Sequence, residues 1–132
     1  MTFVDTSALL AFLDRDAAMH AEVAAASAAV FAERSAVTHN YVLVETEALT
    51  RRRLGAAVAR RLLDDVVPVL EVVWVDASLH DAGVRRLLAS SRRRSSLVDH
   101  VSFELMRRRG LRSALTLDRD FAREGFALVP PG

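Results

Sequence analysis

The chain has 132 residues, of which 52% are hydrophobic and 27% charged, enough for one globular domain whose core needs no disulfide or metal for support. It contains no cysteine and no lysine, so all 18 basic residues are arginine, and the formal net charge is +1. These absences exclude disulfides, thiolate metal sites and cysteine nucleophiles, together with lysine-dependent chemistry such as P-loop phosphate binding and Schiff-base formation.

The first half of the chain alternates short apolar segments with longer helical ones. An apolar run ahead of the turn-forming sequence Asp-Thr-Ser predicts a first strand, and a second short strand follows an alanine-rich helix. In chain order the predictions are a strand at 2–4, helices at 7–13 and 17–31, a strand at 36–38, and a helix at 40–53 capped by Asn40 and stopped by Gly55.

The second half continues the alternation after a helix at 56–67 that ends near Pro68. The predictions are a strand at 69–75, a helix from Asp76 or Ser78 towards Ser90, a polar loop at 90–96, a helix at 97–109 closed by Gly110, a strand at 113–117, a helical turn at 118–123 and a strand at 126–129. Strands that alternate with helices of this length predict a central parallel sheet with right-handed crossovers in a single domain, residues 1–132.

The sequence shows no sign of membrane insertion or export. No apolar stretch reaches the roughly 20 residues that span a bilayer. The opening segment MTFVDTSALL lacks the basic region and cleavage site of a secretory leader. We therefore expect a cytoplasmic protein with no membrane partner.

Four acidic residues lie beside apolar runs in separate parts of the chain: Asp5, Glu45, Asp99 and Asp118. A carboxylate that faces a core destabilises the fold unless it is paired or bound to a cation. Asp5 and Asp118 each follow a predicted strand, at the edge where open α/β sheets bind their ligands. If the four converge, they form a set of hard oxygen ligands suited to Mg²⁺ or Mn²⁺.

Each acid also has a purely structural explanation. Asp5 and Asp118 are placed where helix N-caps occur, and Glu45 is placed where a boundary carboxylate would pair with an arginine. Ser96 and Asp99 fit the capping-box spacing. Asp120 is expected to be the more exposed acid of its Asp-Arg-Asp segment and is a secondary metal-ligand candidate.

Hydroxyl and imidazole groups near the acids are less informative. Thr6, Ser7 and Thr116 flank the acids and can orient carboxylates as hydrogen-bond donors, although turn and cap roles explain them equally well. The four histidines have no zinc-ligand spacing. His100, next to Asp99, is expected at the surface.

The arginines occur in runs, at 51–53, 60–61, 85–86, 92–94 and 107–109. Of the 17 acidic residues, five are the metal-site candidates, so 12 remain against 18 arginines on the rest of the protein. A surface with that excess attracts a polyanion such as nucleic acid. Any single run is also explained by solubility and by the helix dipole.

Four segments carry a family resemblance when they are taken in order: VDTSALLAFLD, VLVETEALTRRRLG, SLVDHVSFELMRRRG and ALTLDRDF. Together they resemble the PIN-domain family, and within it the VapC-type toxins of bacterial toxin–antitoxin pairs. The resemblance spans residues 3–129. It aligns Asp5, Glu45, Asp99 and Asp118 with the catalytic, metal-binding acids of the family, and Thr6 or Ser7 and Thr116 with its recurrent hydroxyl positions.

The resemblance implies a three-layer α/β/α fold with a central, mainly parallel sheet. It also implies an endoribonuclease toxin that depends on Mg²⁺ or Mn²⁺, forms a homodimer and is neutralised by a cognate antitoxin. The alternative is a non-catalytic RNA- or protein-binding module that keeps the fold and uses its acids structurally. A phosphatase of the haloacid dehalogenase type is disfavoured, because Ser7 stands where its second Asp would be and the lysine it needs is absent.

Overall fold

Five short strands form a fully parallel sheet in the computed structural model, which describes residues 1–132. The strands are Thr2–Val4 (β1), Ala36–His39 (β2), Glu71–Val73 (β3), Ser113–Leu115 (β4) and Ala127–Val129 (β5). Their order across the sheet is β3-β2-β1-β4-β5, so β1 is central and pairs with both β2 and β4. The predicted parallel sheet is confirmed, with no antiparallel strand.

Seven α-helices connect and cover the strands. They are Thr6–Leu13 (α1), His20–Ala32 (α2), Asn40–Leu54 (α3), Ala56–Arg61 (α4), Ala77–Ala89 (α5), Leu97–Arg109 (α6) and Asp120–Arg123 (α7). A π-helical turn, Leu62–Val66, and a 3₁₀ turn, Val67–Val69, lead from α4 into β3. None of these helices has the length and apolar character needed to cross a membrane.

The strand order explains the three layers. From β1 through β2 to β3 the chain moves in one direction across the sheet, and it then returns past β1 to β4. Right-handed crossovers therefore place α1 to α4 on one face and α5 with α6 on the other. Packing of α1 against α2 and α3, and of α5 against α6, agrees with this arrangement. At Gly83 in α5 a Cβ atom would lie 2.5 Å from Val101 Cγ2 of α6, so only glycine allows this close approach.

Several element boundaries differ from the sequence prediction for identifiable reasons. His39, rather than Asn40, is the N-cap of α3, because its Nδ1 accepts the Val42 N–H at 3.3 Å. Asn40 instead accepts the Val75 N–H at 2.7 Å through Oδ1. The predicted helix at 56–67 is α only as far as Arg61. The strand at 2–4 and the helix at 97–109, closed by a left-handed Gly110, agree residue for residue.

His39 links β2 to the opposite helical layer. Its ring is fully buried, contacts Phe3 at a centroid distance of 5.7 Å, and places Nε2 2.8 Å from Ser102 Oγ of α6. Burial disfavours the charged imidazolium and lowers the pKa of His39 to about 4. The ring is therefore neutral in the folded protein near neutral pH.

This burial predicts an acid-side loss of stability. Between pH 6.5 and about 4 the unfolded chain binds a proton at His39 that the folded chain does not. The contribution of His39 to the free energy of unfolding should therefore decrease as pH falls through this range, by about 3 kcal/mol. Urea titrations at several pH values should show that His39→Asn, which can keep the N-cap acceptor, loses less stability towards acid than the wild type does. Parallel pH profiles for the two proteins would contradict the assignment, since other titrating groups are common to both.

Candidate active site

The four predicted acids line one pocket at the carboxyl ends of the central strands. Asp5 directly follows β1, and Asp118 lies just beyond β4, the neighbouring parallel strand. Glu45 lies on α3, which starts directly after the last residue of β2, and Asp99 lies in the first turn of α6. The sheet topology therefore brings together side chains that are more than 100 residues apart in the chain.

Asp5 is the most deeply placed of these acids, with 4% of its surface exposed. Its Oδ2 accepts hydrogen bonds from Ser7 Oγ and from Thr116 Oγ1, both at 2.9 Å. Burial raises the pKa of Asp5, the two hydroxyl donors oppose that effect, and the charge of Asp118 adds to it. The hydroxyls therefore stabilise the ionised carboxylate in a site that otherwise disfavours it.

The same two hydroxyls also fix the turn that carries Asp118. Thr116 Oγ1 accepts the Asp118 N–H, and Ser7 Oγ accepts the Leu117 N–H, each at 2.9 Å. Each hydroxyl thus donates to Asp5 and accepts from the segment after β4, so one network positions both acids. Thr6 lines the same pocket, but its buried hydroxyl has no hydrogen-bond partner.

Asp99 combines a structural role with a place in the pocket. It completes the predicted capping box of α6: Oδ2 accepts the Ser96 N–H at 2.9 Å, and the Asp99 N–H is 3.4 Å from Ser96 Oγ. Burial, together with the negative charges of Asp5, Asp118 and Glu45, raises the pKa of Asp99 to about 6, against the opposing effect of the capping bond. The other oxygen, Oδ1, has no hydrogen-bond partner in the protein.

Glu45 makes neither an ion pair nor a hydrogen bond in the protein, so the arginine partner considered as its structural explanation is not found. Two residues on, Glu47 does pair with an arginine, Arg51, at 2.7 Å. The two glutamates face different directions on α3, as the helical spacing predicts. Glu45 lines the acid pocket, while Glu47 forms an ordinary surface ion pair.

Two expectations about exposure were wrong. Asp120 is buried at 7% exposure, because Phe121 beside it packs into the core and draws the start of α7 inward. The Oδ1 atom of Asp120 lies 2.5 Å from Nη1 of Arg123. Asp120 lines a neighbouring groove rather than the acid pocket. His100 is also buried, at 2%, with its ring edge against Phe103 and Nε2 2.9 Å from Ser95 Oγ. Both errors arise from tertiary packing that no local pattern encodes.

The donor chemistry of the pocket fits a hard divalent cation. No three carboxylate or imidazole groups are arranged as a ready-made ligand set. Mg²⁺ does not require one, since it usually takes one or two carboxylates and keeps several waters. Asp99 Oδ1 and Asp118 Oδ2 are both free of protein hydrogen bonds, while their partner oxygens are held by backbone N–H groups at 2.9 Å. Each carboxylate is thus oriented by one backbone hydrogen bond and keeps its other oxygen available to coordinate a cation.

Two arginines that the sequence analysis did not single out complete the pocket. Arg53, near the end of α3, and Arg94, in the loop before α6, line it together with the four acids. Both belong to arginine runs that were noted only as part of a basic surface. The runs were the available signal, but nothing in them indicates which member reaches the pocket.

A family model for the PIN domain matches residues 2–127. The chain belongs to the PIN-domain family. It is 36% identical over 135 aligned residues to the "23S rRNA-specific endonuclease VapC20" of Mycobacterium tuberculosis, in two strains, with 99% of each chain covered. The crystal structure of the VapC20 toxin of that organism, described as cleaving the sarcin–ricin loop, superposes with a TM-score of 0.84 at 31% identity and covers 96% of this chain and 97% of that one. The resemblance to VapC-type members and the three-layer fold are thus confirmed.

The hydroxyl network of the pocket gives a direct test. Thr116→Val removes one donor to Asp5 and leaves the Asp118 N–H without its acceptor, so the free energy of unfolding should decrease by about 1–3 kcal/mol. Thr116→Ser keeps the hydroxyl and is the matched control, with a smaller loss expected in urea denaturation. A valine variant as stable as the serine variant would show that the network does not hold the site.

Proposed function

We propose that this protein is an endoribonuclease that depends on Mg²⁺ or Mn²⁺ and acts as the toxin of a VapBC-type toxin–antitoxin pair. The observation that carries the proposal is the pocket in which four carboxylates and two arginines from four separate segments of the chain lie together. Whole-length identity of 36% to a ribosomal RNA endonuclease supports it. Asp5, Glu45, Asp99 and Asp118 are the proposed catalytic and metal-binding residues.

The roles of the protein groups follow from their contacts. Asp99 and Asp118 present free oxygens for the cation, and Asp5 is kept ionised by the hydroxyls of Ser7 and Thr116. A divalent ion held by these carboxylates would lower the pKa of a water and stabilise the charge that develops on the phosphate. Glu45 has no ion pair or hydrogen bond to hold it, so its carboxylate is free to turn towards a water or an ion. Asp120, neutralised by Arg123, is a weak candidate for a ligand role.

The proposed substrate comes from the names of the relatives, and the proposed partners come from the family resemblance. The curated relative is named for 23S rRNA, and the solved one for cleaving the sarcin–ricin loop. A 23S rRNA fragment that contains the sarcin–ricin loop is therefore the first substrate to test. We further propose a cytoplasmic homodimer that a cognate antitoxin inhibits.

Conservative substitution of the acids should remove cleavage without altering the fold. Asp5→Asn and Asp99→Asn keep the hydrogen-bond acceptors but lose the charge, so cleavage of ribosomal RNA should fall by about 100-fold or more. Asp81→Asn, at an exposed acid on α5, is the control and should retain full activity. Mapping of RNA ends by primer extension gives the rate and the cleavage position.

Growth arrest on expression is the cellular counterpart of this test. Arrest that persists in Asp5→Ala would refute the nuclease assignment. Purified wild-type protein that binds RNA but cleaves none in Mg²⁺ or Mn²⁺ would favour the non-catalytic binding module instead.

A metal effect on stability can be measured without any substrate. Binding of Mg²⁺ or Mn²⁺ to the folded protein should raise the melting temperature, since an ion at 100 times its Kd stabilises the native state by about 2.7 kcal/mol. Asp99→Asn should show a smaller rise, because one ligand and one repelling charge are gone. Sodium chloride at equal ionic strength is the control for screening. Equal shifts in sodium and magnesium salts would argue against a specific ion site.

A further inference from the structure

A second groove adjoins the acid pocket and shares two of its residues. Arg94 and Asp118 line both, so the two depressions form one continuous surface. No apolar or aromatic side chain lines the groove, and its remaining walls are Arg92, Arg93, Asp120 and Arg123. Four arginines against two acids make it a positively charged extension of a negatively charged pocket.

Some of these arginines are committed to partners within the protein. Arg92 Nη1 lies 2.9 Å from Glu124, and Arg123 Nη1 lies 2.5 Å from Asp120. These two guanidinium groups hold the walls of the groove together. Their charges are largely balanced by the acids that they contact.

Three others have no such partner. Arg53, Arg93 and Arg94 are exposed and form no ion pair, although two of them line a pocket with four carboxylates. By contrast, the single carboxylate of Glu124 contacts three arginines, Arg86, Arg92 and Arg107. The pocket therefore keeps its acids free for a cation and its arginines free for an anion.

The loop that carries Arg93 and Arg94 is fastened at both ends. Ser95 Oγ donates to the Arg92 carbonyl at 2.9 Å and lies 2.9 Å from Nε2 of the buried His100. On the other side, Arg92 is held by Glu124, which also contacts Arg107 at 2.8 Å. A tethered backbone loses less conformational freedom when a ligand binds, so more of the contact energy appears as affinity.

We propose that Arg53, Arg93 and Arg94 bind the phosphates of a single RNA strand, with Arg53 and Arg94 next to the bond that is cut and Arg93 farther along the groove. This rests on the proposed nuclease function. The guanidinium fork matches two phosphate oxygens, and an arginine remains charged at any accessible pH. Because no aromatic side chain lines the groove, base stacking does not contribute. The groove therefore binds the RNA backbone with little preference for sequence.

The test measures binding to two unstructured single-stranded RNAs of unrelated sequence, in an Asp5→Asn background that prevents cleavage. For each arginine changed to alanine, the slope of log K against log salt should become less negative by about 0.7. A purely electrostatic contact of that size corresponds to about fourfold weaker binding at 0.15 M salt. Both RNAs should lose affinity equally for Arg53→Ala, Arg93→Ala and Arg94→Ala.

Arg112→Ala is the matched control. Arg112 is exposed and unpaired like the three groove arginines, but it precedes β4 and so lies at the opposite edge of the parallel sheet. It should leave both the affinity and the salt slope unchanged. Equal losses for Arg112→Ala and the groove variants would overturn the proposal in favour of diffuse charge attraction, and so would groove variants that bind like the parent.

Cleavage by the same arginine variants, with Asp5 restored, separates this proposal from the nuclease function. Unchanged binding and unchanged cleavage in these variants would overturn the proposal that the three arginines bind RNA phosphates, while the proposed nuclease function would still stand. Groove-dependent binding without any cleavage by the wild type would refute the nuclease function and support the groove as a nucleic-acid site.

Discussion

The site depends on a hydrogen-bond network that joins the ends of two parallel strands. The carboxylate of Asp5 is almost fully buried and accepts one hydrogen bond from the Ser7 hydroxyl and one from the Thr116 hydroxyl. Each of these hydroxyls in turn accepts a hydrogen bond from a backbone N–H in the segment after β4. An unsatisfied buried carboxylate would destabilise the fold by several kcal/mol or take up a proton. The network prevents both outcomes. It also couples the positions of Asp5 and Asp118, so neither acid can move without disturbing the other.

Electrostatic repulsion limits how tightly the remaining acids can be gathered. The charges of Asp5, Asp118 and Glu45 all raise the pKa of Asp99, and folding has to oppose this repulsion with other interactions. The capping box is one of them, since it stabilises the start of α6 and orients Asp99 at the same time. A single residue thus serves helix stability and the site together. Conflicts of this kind between local charge and stability are expected at functional sites and rarely elsewhere.

The sequence predicted the acids whose position follows from backbone topology, and it was least informative where packing decides. Asp5 and Asp118 could be placed because both follow strands and the carboxyl ends of parallel strands meet at one edge. Asp99 was recognised as part of a capping box from spacing alone. The direction in which Glu45 faces needed the family resemblance. Asp120 and His100 were misjudged because their burial depends on Phe121 and Phe103, which approach them only in the folded core.

The distribution of arginines explains why a near-neutral protein suits a polyanion. Glu104 and Glu124 together engage four arginines on the α5–α6 side of the sheet, so those positive charges are partly neutralised inside the protein. The arginines around the acid pocket are left without partners, and the four carboxylates beside them are also unpaired. Net charge therefore says little about binding here, because what matters is which charges are already neutralised. Under the proposed function, the carboxylates would hold a divalent cation and the guanidinium groups would contact the phosphate oxygens, so a phosphodiester with its cation would satisfy both unpaired sets at once. Neither component alone would do so, which favours a site that binds metal and nucleic acid cooperatively.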